Sequence, residues 1–131
     1  MDILGLRIPD YSKQPAKRRA YWDWLQSVST QLLVQPFVLM GDFNTDPAYP
    51  RARCGDRIRA MQDAGWQHAC PAGGASFWTT TGHAVRIDHA FASSHFRLKH
   101  AEYLPVVNGR RIVGSNALSD HAPLVVELER Q

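Results

Sequence analysis

Three short acidic motifs carry the chemistry of this chain: Gly41-Asp42-Phe43-Asn44, Arg86-Ile87-Asp88-His89 and Ser119-Asp120-His121-Ala122-Pro123. Each sets a carboxylate beside an amide or an imidazole, next to an apolar run that reads as a buried strand. A carboxylate can align an attacking water or bind a hard cation, and an amide can donate to a developing oxyanion. An imidazole exchanges its proton near neutral pH. Asp42 and Asn44 are two residues apart, so on an extended chain they share a face and converge on one point. Gly, Asp and Asn also favour turns, and the motif by itself reads as a turn. Asp120 is a candidate hard-cation ligand and His121 a candidate proton carrier; the plainer reading is a turn cap followed by a surface histidine. Asp88 is expected to orient His121 rather than its neighbour His89, because adjacent strand residues point to opposite faces. Its structural alternative is an ion pair with Arg86 on its own face.

The surrounding pattern must position these groups. Ile3–Ile8 reads as a strand ended by Pro9. Ala16–Leu33 reads as a helix with Ala20, Trp24, Leu25, Val28 and Leu32 on its apolar face. Pro36 stops it, and Phe37–Met40 is a continuous apolar strand expected to be covered on both faces. This strand-helix-strand order argues for a layered α/β fold. A second helix is expected over Arg53–Ala64, then a short strand at Trp66–Ala69. Ser76–Thr80 and Val85–Ala92 read as a strand pair around Gly82. Arg97–Val107 is a further strand, Asn108-Gly109 a turn, and Leu124–Leu128 the last strand. At 131 residues, the chain (1–131) suits one domain.

Composition sets the outer limits. The chain is 44% apolar and 21% charged, ordinary for a globular protein and unlike a disordered, collagenous or coiled-coil sequence. No apolar run approaches the roughly 20 residues of a membrane helix, and residues 1–20 lack an apolar signal segment. A cytoplasmic location is the expectation. The net charge of +3, with a pI near 9.1, suits a phosphate-bearing partner. Basic residues cluster in Lys13–Arg19, Arg51–Arg59 and Arg110–Arg111, each also readable as a solvated face. Cys54 and Cys70 lack zinc-ligand spacing and are expected to be unpaired thiols.

Taken together, the order and spacing of the three motifs resemble the carboxyl-terminal half of the endonuclease/exonuclease/phosphatase superfamily, which includes relatives of exonuclease III and deoxyribonuclease I. Ser76-Phe77-Trp78, shortly before Arg86-Ile87-Asp88-His89, fits the same pattern, and the resemblance covers roughly residues 3–129. It implies half of a two-sheet α/β sandwich, with a mixed, mostly antiparallel sheet and helices on one face. It implies a metal-dependent phosphoesterase, foremost a phosphodiesterase of the nuclease kind. Carried over by motif, the catalytic set is Asp42, Asn44, Asp88 and His121: Asp42 positions the water, Asn44 steadies the phosphoryl oxygens, and His121 contacts the phosphate with Asp88 orienting it. Arg7, Asn44 and Trp78 are the implied substrate-binding residues, and Asp120 with Asp42 the implied ligands for Mg²⁺ or Mn²⁺.

The resemblance also marks a departure. Superfamily members are about twice this length, and their first half supplies a metal-binding Glu. The glutamates here are Glu102, Glu127 and Glu129, all late in the chain. One half of such a sandwich would expose an apolar sheet face. The expected partner is therefore a second copy, giving a C2 homodimer through that face; nucleic acid or another phosphate ester is the expected ligand. The alternatives are a truncated, non-catalytic module that dimerises or binds nucleic acid, and a fragment whose site residues are residual.

Overall fold

A computed structural model describes residues 1–114 and 116–131. The architecture is half of a two-sheet α/β sandwich. Strands β1 (Asp2–Arg7), β2 (Phe37–Asp42), β3 (Gln67–His68) and β6 (Asp88–Ala92) form the main sheet in the order β1-β2-β6-β3. β1 and β2 are parallel, joined by helix α1 (Pro15–Leu32); the β2–β6 and β6–β3 pairs are antiparallel. Helix α2 (Asp56–Asp63) lies between β2 and β3 in the chain. The short hairpin of β4 (Phe77–Trp78) and β5 (Ala84–Val85) precedes β6. Long strands β7 (Phe96–Tyr103) and β10 (Leu124–Arg130) pair antiparallel as a second ribbon. The hairpin β8 (Val106–Val107) and β9 (Arg110–Arg111) turns at Asn108-Gly109. Among the described residues no helix is long and apolar enough to cross a membrane.

One face of the main sheet is closed by both helices. Trp22 and Leu25 of α1 and Ile58 and Met61 of α2 pack with Leu39, Phe43 and Phe91, and Leu4 and Leu6 join them from β1. Pro15 opens α1, where its missing N–H and fixed φ are tolerated. The buried stripe of α1 is Arg18, Trp22, Leu25 and Ser29. It is rotated from the apolar face expected from sequence: Ala20 and Trp24 point outward. The stripe admits Arg18 because its guanidinium reaches Asp10 at 3.2 Å, and Ser29 because its hydroxyl donates to the Gln26 carbonyl. Ser93, fully buried, ties the connection after α1 to the sheet. Its hydroxyl donates to the Gln35 carbonyl and accepts the Phe37 N–H.

The other face is covered only in part, which corrects the expectation for Phe37–Met40. Val38, Ala92 and Phe96 form a small core with Leu128 where the β7–β10 ribbon folds over. Beyond it, Ile3, Val38, Met40, Ala90, Val126 and Leu128 line an apolar groove of about 440 Å³, and Ile3 is 54% exposed. The Ser76–Ala92 region also departs from a simple strand pair. Only Phe77–Trp78 and Ala84–Val85 form the hairpin, while β6 leaves it to enter the main sheet.

Beneath the helices lies a polar chain inside the core. The His89 imidazole is 1% exposed, and its Nε2–H donates to the Thr45 carbonyl at 2.8 Å. That leaves its Nδ1 to accept from His68 Nε2 at 3.0 Å. Burial, then the neighbouring ring, then Arg86 push the His68 pKa from 6.5 down to about 4. The folded protein thus keeps His68 neutral where the unfolded chain takes up a proton. Stability should be full above the unfolded value of 6.5, fall as pH drops from there towards about 4, and level off below. Allowing for partial exposure, the loss should be on the order of 2 kcal/mol. Urea unfolding at a series of pH values checks this against His68→Phe, which should flatten that dependence; parallel curves would remove His68 as its source.

Candidate active site

The register of three strands creates the site. Arg7 of β1, Asp42 of β2 and Asp88 of β6 are direct cross-strand partners, a row across the open face of the sheet. Such neighbours stand with Cβ atoms about 5 Å apart, so two carboxylates face each other. Gly41 permits this row. A Cβ there would sit 1.9 Å from the Leu6 carbonyl oxygen, and its φ is +147°. Any other residue at that position would push β2 off β1 one step before Asp42.

After Asp42 the chain turns. The Asp42 carboxylate accepts the Asn44 N–H at 2.9 Å, and Asn44 takes a left-handed φ of +49°. The Asn44 amide donates to the Ile8 carbonyl at 2.6 Å, across the end of β1. The alternation that would aim Asp42 and Asn44 at one point therefore stops at Asp42. The reason is local: a short acidic side chain captures a backbone N–H and bends the strand end. Asn44 remains beside the row, half-buried, with one amide hydrogen committed to the fold.

His121 enters from the far end of the chain. Its Nδ1–H donates to the Asp88 carboxylate at 2.8 Å. Its ring packs on Phe77, centroids 4.9 Å apart. Asp88 is thus paired with His121 and not with His89, which points into the helix-covered core. Arg86 does not pair with Asp88. Its guanidinium donates to the Gly74 and Pro71 carbonyls, and its backbone N–H donates to the Asp46 carboxylate.

One residue that sequence reasoning passed over as a positioning group sets both partners. Ser76 is fully buried. Its hydroxyl accepts the N–H groups of Ile87 and Asp88, at 2.8 and 3.1 Å, and its carbonyl accepts the N–H of Ala122 at 2.8 Å. The backbone on either side of the Asp88–His121 contact is therefore tied to one side chain and its carbonyl. Tyr103 adds a hydroxyl donor to the Asp88 carbonyl, and the Ser119 hydroxyl accepts the His121 N–H. The only hint in the sequence was the serine's place before Phe77-Trp78.

The electrostatics are those of an acidic pair that is only partly compensated. Burial raises the Asp42 carboxyl above its ordinary value, and the Asp88 charge adds to the rise. The Asn44 N–H, His121 and Arg7 oppose it. Arg7 is a weak counterion, 3.8 Å from Asp42 with its side chain 80% exposed. Ligand atoms of Asp42, Asp88 and His121 all lie within 4.8 Å of one another. Two hard oxygen donors with unneutralised charge and one imidazole fit a divalent cation. Asp120 is not in that group. It is exposed and lines a neighbouring pocket with Trp78. Alternation along an extended segment accounts for the difference: if His121 takes the inward position, Asp120 faces away. Trp78 is half-buried in the same pocket wall.

Replacing Ser76 by Ala should strand two buried N–H donors and lower stability by about 2–3 kcal/mol. It should also broaden or shift the His121 ring signals in an NMR spectrum, because Asp88 loses its anchor. Unchanged stability and unchanged His121 signals would show that Ser76 does not hold the pair.

Comparison with known proteins bears on what this row is for. The sequence model of the Endonuclease/Exonuclease/phosphatase family matches residues 5–121. No curated protein matches the chain. Among solved structures, an endonuclease/exonuclease/phosphatase family protein from Bacteroides thetaiotaomicron is similar at 24% identity and a TM-score of 0.68. The match covers 96% of this chain and 48% of that one. A mannosyl-6-phosphatase from the same organism is similar at 23% identity and a TM-score of 0.64, over 97% of this chain and 49% of its own. A 3'-5' exonuclease from Neisseria meningitidis is similar at 16% identity and a TM-score of 0.62, over 97% and 60% respectively. The chain spans about half the length of the first two structures.

Proposed function

The chain belongs to the endonuclease/exonuclease/phosphatase family, and from that premise we propose that the Asp42–Asp88–His121 row hydrolyses phosphate esters, phosphodiesters of the nuclease type foremost. The observation that carries this reading is the convergence of three side chains from distant segments, with Asp88 bonded to His121 at 2.8 Å. The family is generally metal-dependent, and similar folds include both a phosphatase and an exonuclease. The net charge of +3 favours a polyanionic substrate.

In this reading Asp42, its pKa raised by burial, accepts the proton of an attacking water. The water oxygen forms the new bond to phosphorus, the ester oxygen leaves with the bonding pair, and it takes up a proton. Asp88 accepts the Nδ1–H of His121, and in the imidazolium form the Nε2–H donates to a phosphoryl oxygen. Arg7 and Asn44 flank the phosphate from the ends of β1 and β2. Asp42 and Asp88 are the residues that would hold Mg²⁺ or Mn²⁺, with Asp120 outside the group at the rim; the cation would neutralise phosphate charge when bound.

A second copy of the chain is the proposed cover for the apolar face of Ile3, Met40 and Val126, completing a two-sheet core beside the site. Light scattering at micromolar concentration should give a dimer's molar mass; a stable monomer would sink this part. The competing reading is a module that dimerises or binds nucleic acid without cutting it, favoured by the position of Glu102, Glu127 and Glu129 on the β7–β10 ribbon rather than in the row.

Hydrolysis of a phosphodiester and of plasmid DNA, with and without Mg²⁺ or Mn²⁺, separates the two. His121→Ala and Asp42→Ala should each lower a metal-dependent rate by about 100-fold or more, since general acid–base groups typically contribute that much. Equal rates in both variants would refute the assignment. Salt-sensitive DNA binding without turnover would support the module.

A further inference from the structure

Two basic clusters that are far apart in the sequence meet in the fold. Lys13–Arg19 supplies Arg19 from α1, and Arg51–Arg59 supplies Arg51 and Arg57 from the segment after β2. With Gln26, Cys54 and Asp56 they line a cleft of about 580 Å³ between α1 and the start of α2. The third cluster, Arg110–Arg111, lies elsewhere, on the β8–β9 hairpin.

The charges are held in different ways. Arg57 is half-buried; it donates to the Gln26 side-chain carbonyl and pairs with Asp23 at 2.8 Å, so its plane is fixed. Arg51 meets Asp56 at 3.8 Å with its side chain 91% exposed, a contact that neutralises little. Arg19 is exposed and, among the described residues, has no carboxylate within ion-pair distance. Positive charge is therefore left over in the cleft. The buried Cys54 thiol registers it: burial raises its pKa, and Arg57, Arg18 and Arg19 oppose the rise.

The backbone under these groups is tightly set. Arg51–Arg53 forms a short helical turn, ended by Cys54 at a left-handed φ of +65°. A Cβ at Gly55 would sit 2.1 Å from the Tyr49 carbonyl oxygen, so the loop closes with no room for a side chain. The Thr45 hydroxyl, just beyond Asp42, donates to the Arg53 carbonyl at 2.8 Å. Helix α1 in turn leaves from the Arg7 end of β1. The cleft thus lies round the same end of the sheet as the Asp42–Asp88–His121 row, on the helix-covered face.

Guanidinium forks grip phosphate oxygens by two-point contacts. Exposed arginines in an open cleft at this end of the sheet suit a chain of phosphates, of which one part can lie here and another at the row. Resting on the reading of the row as a phosphoester site, we propose that this cleft docks the phosphodiester backbone of a nucleic acid. The substrate class is then a polynucleotide, since a monomeric phosphate ester can occupy only one of the two places. Arg19 and Arg51 grip the backbone and do not read its sequence.

Fluorescence anisotropy in EDTA tests this through binding, apart from turnover. The probes are labelled DNA of about 20 nucleotides and a labelled dinucleotide, each over a series of salt concentrations. Arg19→Gln and Arg51→Gln should each weaken binding of the longer DNA and cut its salt slope by about 1, and neither should alter binding of the dinucleotide. Lys99→Gln removes the same charge from β7 and should leave the slope unchanged. Melting curves of each variant confirm that it is folded; if one arginine variant is not, the other carries the comparison. No binding of the longer DNA, an equal loss in Lys99→Gln, or displacement of the DNA by polyglutamate as readily as by unlabelled DNA would overturn the proposal. If DNA binds through the two arginines and no phosphoester is cut, the cleft stands and the hydrolase reading falls. If a small diester is cut with Mg²⁺ while both arginine variants leave DNA binding unchanged, the hydrolase reading stands and the cleft falls.

Discussion

The buried hydroxyl of Ser76 is the contact on which the site's geometry depends. It accepts two successive N–H groups at the entry to β6, while its own carbonyl takes the N–H that follows His121. A hydroxyl has two lone pairs, and both are engaged. Asp88 and His121 are 33 residues apart, and nothing in either segment alone would align them. Ser76 places both backbones against one reference point, and the 2.8 Å bond between the side chains follows. Phe77, the next residue, lays its ring on the same imidazole. A stretch of two residues thus sets the position of His121, its partner and its packing.

The row itself is a strained charge arrangement by design of its register. Opposed carboxylates on neighbouring strands repel. Burial raises the Asp42 pKa and the Asp88 charge adds to the rise, while the nearby cation, Arg7, is too exposed to offset them. A folded protein tolerates such a pair where something positive completes it, and a divalent cation and a protonated imidazole are the two candidates the donor set admits. The row faces the open side of the sheet, where the strand ends leave space.

The rest of the fold keeps that side open. Both helices close the opposite face, where His89 is buried and bonded to the partly buried His68. On the site's own face, the β7–β10 ribbon covers only one end of the sheet, leaving the apolar groove at Ile3 and Met40. The two short hairpins project beyond the sheet and frame the cleft at Trp78 and Arg111. The site therefore lies between an apolar groove and a more polar cleft.

What the sequence determined by itself was local. Apolar runs bounded by Pro and Gly marked β1, α1, β2 and β10, and the three acidic motifs marked Asp42, Asp88 and His121 as groups at strand ends. Their joint order pointed to the family that the sequence match shows. The tertiary structure decided what local pattern cannot encode. Register, a long-range property, put Arg7, Asp42 and Asp88 in one row and explains why position 41 must be Gly. A side-chain bond to the backbone turned Asn44 away from the alternation that the motif suggested. Asp120 went to the rim and Trp24 to the surface, because which side of an element is buried depends on what packs against it. Ser76 could not be read as an anchor at all, since its partners lie 11, 12 and 46 residues further on and are brought to it only when the chain has folded.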